Sequence, residues 1–138
     1  MAQEEKLLLL QDLCARLPYK VICKIHYTFN NETTFGEDVE TEDDCTLIRI
    51  DVQNQIAYLD WICDWFCIED VKPYLRPMSS MTEEERKECN KLRLAGGMAI
   101  NVADYCDWLN AHHFDYRGLI EKGLALEATE GMYNIKEK

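Results

Sequence analysis

The sequence predicts an α+β protein: an N-terminal helix, a small curled antiparallel sheet of SH3-like type with about four strands, and a C-terminal segment of about three helices. Three observations predict it. Leucines recur at helical spacing near the start, residues 20–29 alternate between apolar and polar apart from Ile22, and Thr82 with Glu85 spells the T-x-x-E capping box of a new helix. The expected division is residues 1–76, holding the first helix and the SH3-like sheet, and residues 77–138, a linker and helical segment packed as one unit. At 138 residues the chain is one domain, or a small domain with a helical appendage. That length buries roughly two-thirds of its unfolded surface, enough for a core without staples.

The first helix is expected over residues 3–16. Leu7, Leu10, Leu13, Cys14 and Leu17 mark its apolar stripe, and Pro18 stops it. Glu4, Glu5 and Asp12 oppose a membrane-surface role, which needs a basic polar face. In residues 20–29, Val21, Cys23, Ile25, Tyr27 and Phe29 face one way and Lys20, Lys24, His26 and Thr28 the other, the period of a half-buried strand. Residues 30–44 read as a long acidic loop or ragged hairpin. Strands follow at 45–52, 56–62 and 65–68, the first two joined by a tight turn at Gln53 and Asn54, where Asn tolerates a positive φ. Residues 70–75 read as a single helical turn closing the sheet.

Residues 76–81 form the expected linker, and the capping box starts a helix over 83–93. Residues 94–100, with Gly96 and Gly97, read as a break. Asn101 is the expected N-cap of a helix over 102–112, lined by Val102, Tyr105, Cys106 and Leu109. Asp115 is expected to cap a third helix running to Gly123, before a frayed tail after residue 128.

Charge is distributed unevenly. Residues 30–70 carry twelve acidic side chains and one basic one, Arg49, so the whole net charge of −11 lies there and the rest of the chain is neutral. Glu37, Asp38, Glu40, Glu42, Asp43 and Asp44 form the densest part and a candidate partner-binding patch. Such a field repels phosphate backbones, which argues against nucleic acid binding through this segment. A basic protein partner, mimicry of nucleic-acid charge, or simply a solvated loop fits it.

No apolar run approaches the roughly 20 residues that cross a bilayer, and the start lacks a signal-peptide pattern, so neither membrane insertion nor secretion is expected. Seven cysteines, an odd number, mostly at apolar positions, read as reduced thiols in a cytoplasmic protein. Cys63 and Cys67 are spaced C-x3-C around Asp64, Trp65 and Phe66, which resemble strand rather than a zinc knuckle. A site uniting them with His112 and His113 is conceivable, but no metal and no cofactor is expected.

The last third concentrates hydrogen-bonding and aromatic groups at one junction. His112, His113, Tyr116 and Arg117, with Trp108, Phe114 and Asp115 beside them, form the candidate ligand site. Histidine and arginine can clasp an anion while an aromatic ring stacks on a base. Equally, they can pack a helical corner. Enzymatic readings are weaker. Ser79 and Ser80 lack a G-x-S-x-G context, and Gly96-Gly97 lacks both the preceding strand and the following lysine of a phosphate loop.

Two blocks, V-K-P-Y-L-R-P-M-S-S-M-T-E-E-E at 71–85 and D-W-L-N-A-H-H-F-D-Y-R-G-L-I-E-K-G-L-A-L at 107–126, resemble a group of small proteins from gut Bacteroidales and their phages or prophages. The resemblance covers 71–133 well and the front half, around D-L-C-A-R-L-P-Y at 12–19, more loosely. Leu94-Ala95-Gly96-Gly97 departs from it, being richer in glycine than the group's helix entry. The group supplies no catalytic residue to carry over. The resemblance implies a mobile-element accessory protein in a bacterial host: a non-enzymatic binder of a host or phage protein, or alternatively a sequestering protein for a nucleotide-like anionic signal in counter-defence. A small hydrolase is the remaining alternative. The oligomeric state is left open.

Overall fold

The computed structural model describes residues 1–29, 32, 35–94 and 102–133, and it divides into two compact units, Met1–Tyr74 and Leu75–Lys138. The protein is mixed α+β, with an N-terminal helix, a curled, mainly antiparallel sheet and further helices. Among the described residues seven strands form where about four were expected. No described helix is long and apolar enough to cross a membrane.

The first unit opens with α1 (Gln3–Arg16), as the leucine spacing predicts. The Ala2 N–H donates to Glu5 Oε1 at 3.2 Å, and Glu4 and Glu5 in the first turn with Arg16 in the last complement the helix dipole. Leu9, Leu10 and Leu13 are buried, and so are Asp12 and Arg16, both at 0% exposure. Arg16 Nε donates to Asp12 Oδ2 at 2.8 Å, one turn apart. An ion pair on the inner face is something apolar periodicity does not reveal. A 3-10 turn at Leu17–Tyr19, with Pro18 near its start, ends on Lys20 at φ 57°.

Strand β1 (Ile22–Phe29) follows the predicted alternation: Cys23 and Ile25 are buried, His26 and Thr28 exposed. Strand β2 (Val39–Asp51) begins earlier than the expected residue 45, and of the loop and the ragged hairpin expected before it the hairpin is the one that forms, because residues 39–44 pair with β1 from Phe29↔Val39 through Lys24↔Asp44. Its first half carries no apolar alternation. The inward position that would call for an apolar residue holds Asp43, whose Oδ2 accepts the Tyr27 hydroxyl at 2.6 Å. Pairing with β1 outweighs the low strand propensity of acidic residues.

A β-bulge lies between Leu47 and Arg49, leaving Ile48 as the extra residue, and β2 then pairs with β3 (Ile56–Leu59). In the turn between them, Asn54 donates through its N–H and Nδ2 to Asp51, at 3.1 and 2.8 Å, and the positive φ falls on Gln55 rather than on Asn54. Strand β3 is shorter than expected, since residues 60–63 turn back into β4 (Asp64–Cys67).

The closing helical turn lies earlier than expected, at Ile68–Asp70, and residues 71–77 are strand β5 (Val71–Pro77). Pro73 and Pro77 bias Lys72 and Arg76 toward extended backbone, which opposes a helical turn. In this unit β5 pairs antiparallel with β1, Ile25↔Val71 to Cys23↔Pro73, giving the order β4-β3-β2-β1-β5. The Tyr74 hydroxyl donates to Asp44 Oδ1 at 2.8 Å.

In the second unit, the end of β5 pairs in parallel with β6 (Phe114–Asp115) and also with β7 (Leu126–Glu127). The expected linker is therefore strand at Arg76 and Pro77, then a 3-10 turn at Met78–Ser80. Helix α2 (Glu83–Leu94) has the predicted capping box: the Glu85 N–H donates to Thr82 Oγ1 at 3.2 Å, and the Thr82 N–H to Glu85 Oε1 at 3.0 Å. Helix α3 (Val102–Ala111) matches expectation, while the glycine-containing break and the Asn101 cap lie outside the described residues.

Among the described residues no third helix follows Asp115. Asp115 does cap, accepting the Leu119 and Ile120 N–H groups at 2.9 Å each. Gly118 and Gly123 then sit at φ 75° and 77°, so the segment closes as turns. Leu109, Phe114, Leu119 and Leu124 form the buried centre of this unit. After Ala128 the chain makes a turn closed by Met132 N–H on Thr129 O at 3.1 Å.

Candidate functional site

The junction of the second unit uses its polar and aromatic groups on one another. Helix α3 ends where His113 takes φ 63° and its N–H donates to Asn110 O at 3.0 Å. The His112 Nδ1 lies 2.9 Å from Trp108 O, which makes Nδ1 the protonated nitrogen of that contact, and the ring stacks on Trp108 at 4.1 Å. His113 is buried and stacks on Tyr133 at 3.7 Å. The two adjacent histidines thus lie against different aromatic partners.

Tyr116 donates to Asn110 Oδ1 at 2.9 Å, and Arg117 Nη2 donates to the Tyr116 hydroxyl at 3.2 Å, with the guanidinium 5.0 Å from the ring centroid. The structure therefore brings Tyr116 and Arg117 together, and holds each of the four candidates in contacts internal to the fold.

The centre of this region is a residue that sequence reasoning placed in a linker. Arg76 donates through Nη1 and Nη2 to the Glu85 carboxylate at 2.8 and 2.7 Å. It also donates to His112 O at 3.3 Å and lies 4.2 Å over the Phe114 ring. Burial works against ionisation of Glu85, but the Arg76 hydrogen bonds, the Thr82 N–H and the charges of Arg76 and His112 outweigh it and hold the carboxyl at about 2. Glu85 thus serves both as helix cap and as ion-pair partner. Only the first role was legible, from the T-x-x-E spacing.

A cleft of about 630 Å³ in the same unit is lined by Arg76, Ser80, Thr82, Glu127, Glu130 and Tyr133, among others. Ser80 Oγ is bound to Pro77 O at 2.7 Å, Thr82 Oγ1 caps α2, and Arg76 is paired. Glu127 and Glu130 are exposed, so the rim is anionic and disfavours a nucleotide-like anion.

In the first unit, the acidic patch separates into two populations. Glu40, Glu42 and Asp44 alternate along β2 and share one exposed face, opposite Thr28, His26 and Lys24 of β1. Lys24 Nζ lies 3.8 Å from Glu42 and His26 Nε2 3.8 Å from Glu40. Asp43 points to the other face and is bound by Tyr27, while Glu37 and Asp38 precede the strand.

Cys63 and Cys67 are both exposed and belong to this first unit, whereas His112 and His113 belong to the second. All seven cysteines are free thiols. Among the described residues no group of three or more His, Cys, Asp or Glu side chains is placed to hold a metal. Comparison of the chain with protein-family models, curated proteins and solved structures gives no match.

Proposed function

We propose that this is a non-enzymatic binding protein of phage or mobile-element origin. It docks a basic protein partner on the first unit, which we read as SH3-like, in the cytoplasm of a bacterial host. One observation carries the reading: Glu40, Glu42 and Asp44 are exposed on a single face of a paired 13-residue strand. A solvated acidic loop would leave these carboxylates unregistered. A strand spaces alternate side chains about 7 Å apart, which offers a basic surface a fixed row of partners. The mobile-element origin rests on the linker and tail resemblance at 71–85 and 107–126. The sequestering alternative loses support, because His112, His113, Tyr116 and Arg117 are engaged with the fold itself.

The test is the affinity of a lysine- and arginine-rich peptide as a function of salt, for the wild-type protein and a Glu40→Gln, Glu42→Gln, Asp44→Asn variant. Exposed charges are screened over about 10 Å at 0.1 M ionic strength, so wild-type affinity should fall steeply with salt and the variant should bind weakly with a shallow slope. Equal affinity and slope for the two proteins contradicts the reading.

A further inference from the structure

The β3–β4 hairpin carries two tryptophans with much of their indole surface in solvent. Trp61 is 81% exposed and Trp65 is 40% exposed. Trp61 also sits at φ 74°, a left-handed conformation that strains a bulky residue. Each tryptophan follows an aspartate whose carboxylate is fixed on it: Trp61 N–H donates to Asp60 Oδ1 and Trp65 N–H to Asp64 Oδ1, both at 2.8 Å. Tyr58 packs edge-on against Trp65 at 5.3 Å. Arg49 covers Tyr58, with its guanidinium 5.3 Å from that ring.

β4 also ends the sheet. It pairs only with β3 among the described residues. The Ile68 N–H bond to Gln55 O sets the alternation of the ladder, so Asp64 and Phe66 direct their backbone groups to β3 while Trp65 and Cys67 direct theirs away. Exposed indoles, carboxylates held beside them and an open strand edge therefore coincide in one hairpin.

We infer that this hairpin is the anchor point of the basic partner: two Asp-Trp pairs receive lysine or arginine side chains from an extended segment. Each cation meets an indole face and a neighbouring carboxylate together. A cation is attracted to the face of an indole, and tryptophan is among the residues that dominate interface energetics. Charge selects this occupant over a second copy of the chain. Self-pairing across β4 would bring together two copies of a segment that carries the whole net charge of −11. The inference rests on the reading that the first unit binds a basic partner.

The experiment titrates a lysine- and arginine-rich peptide into wild-type protein, a Trp61→Gly, Trp65→Thr double variant and the neutralised β2 variant, with circular dichroism confirming each fold. Trp61→Gly suits the positive φ and Trp65→Thr keeps strand propensity, so both changes preserve the hairpin. At least tenfold weaker binding by the double variant, with sedimentation showing monomers throughout, is the expected result. Unchanged binding by the double variant, while the neutralised β2 variant is weakened, overturns the anchor and leaves the acidic face standing. Absence of peptide binding by wild-type protein overturns both. Self-association lost in the double variant overturns the basic segment in favour of a second copy.

Discussion

Arg76 and Glu85 form a two-pronged ion pair, 2.8 and 2.7 Å, that fastens the end of β5 to the first turn of α2. Both side chains are about nine-tenths buried, and the guanidinium also covers Phe114 and reaches the His112 carbonyl. Removing one partner would leave the other charge buried and unpaired, at a cost of about 3–5 kcal/mol. Arg76→Ala and Glu85→Ala should each lower the unfolding free energy of the second unit by that amount, read from chemical denaturation. Arg76→Lys should rescue little, since lysine cannot make both bonds at once. A loss below about 1 kcal/mol in Arg76→Ala would show that the pair does not hold this unit together.

Acid should reveal the same pair. Glu85 is held at about 2, below its ordinary carboxyl value of 4.5. A depressed folded-state value means that its contribution is fully present above about 4.5 and is lost as pH falls toward 2. Stability of the second unit should therefore decline across that window, and the Arg76→Ala variant should show a flatter decline. Thermal melts from pH 6 to 2 measure it.

The two carboxylates Glu42 and Asp43 are neighbours in sequence with opposite duties. Glu42 is exposed on the outer face, and Asp43 binds the Tyr27 hydroxyl on the inner one. Asp43→Asn should destabilise the first unit by about 1 kcal/mol and leave basic-peptide affinity nearly unchanged. Glu42→Gln should do the reverse. Denaturation and peptide titration on both variants separate the roles, and equal effects on binding would contradict the assignment of faces.

Trp61 offers a test of strain. It occupies φ 74° with its indole in solvent, so the fold gains little from the side chain and is strained by its backbone. Trp61→Gly should leave stability unchanged or raise it by up to about 1 kcal/mol, since glycine adopts this conformation freely but also has more entropy to lose on folding. A clear destabilisation would mean that the indole packs against the hairpin.

What was legible in the sequence is what short-range chemistry dictates. The leucine stripe of α1, the alternation of β1 and the Thr82–Glu85 box each depend on residues within one element. The acidic half of β2 was only partly legible because its inward position at Asp43 is satisfied by a hydroxyl from another strand rather than by an apolar core. β5 was hidden by its two prolines, which resemble turn residues until their preference for extended neighbours is considered. The absent third helix traces to Gly118 and Gly123 in left-handed conformations. Arg76 lay in an apparent linker, with its partner Glu85 nine residues away, so no local pattern exposed it. Sequence alone did not show that His112 would lie on Trp108 and His113 on Tyr133.

Backbone amide chemical shifts, recorded as a lysine- and arginine-rich peptide is added, test the docking of a basic partner on the first unit most directly. The predicted result is a contiguous set of shifts at Glu40, Glu42 and Asp44 with their β1 partners Thr28, His26 and Lys24, reduced by added salt. Shifts confined to His112, His113, Tyr116 and Arg117, or no shifts at millimolar peptide in low salt, would contradict it.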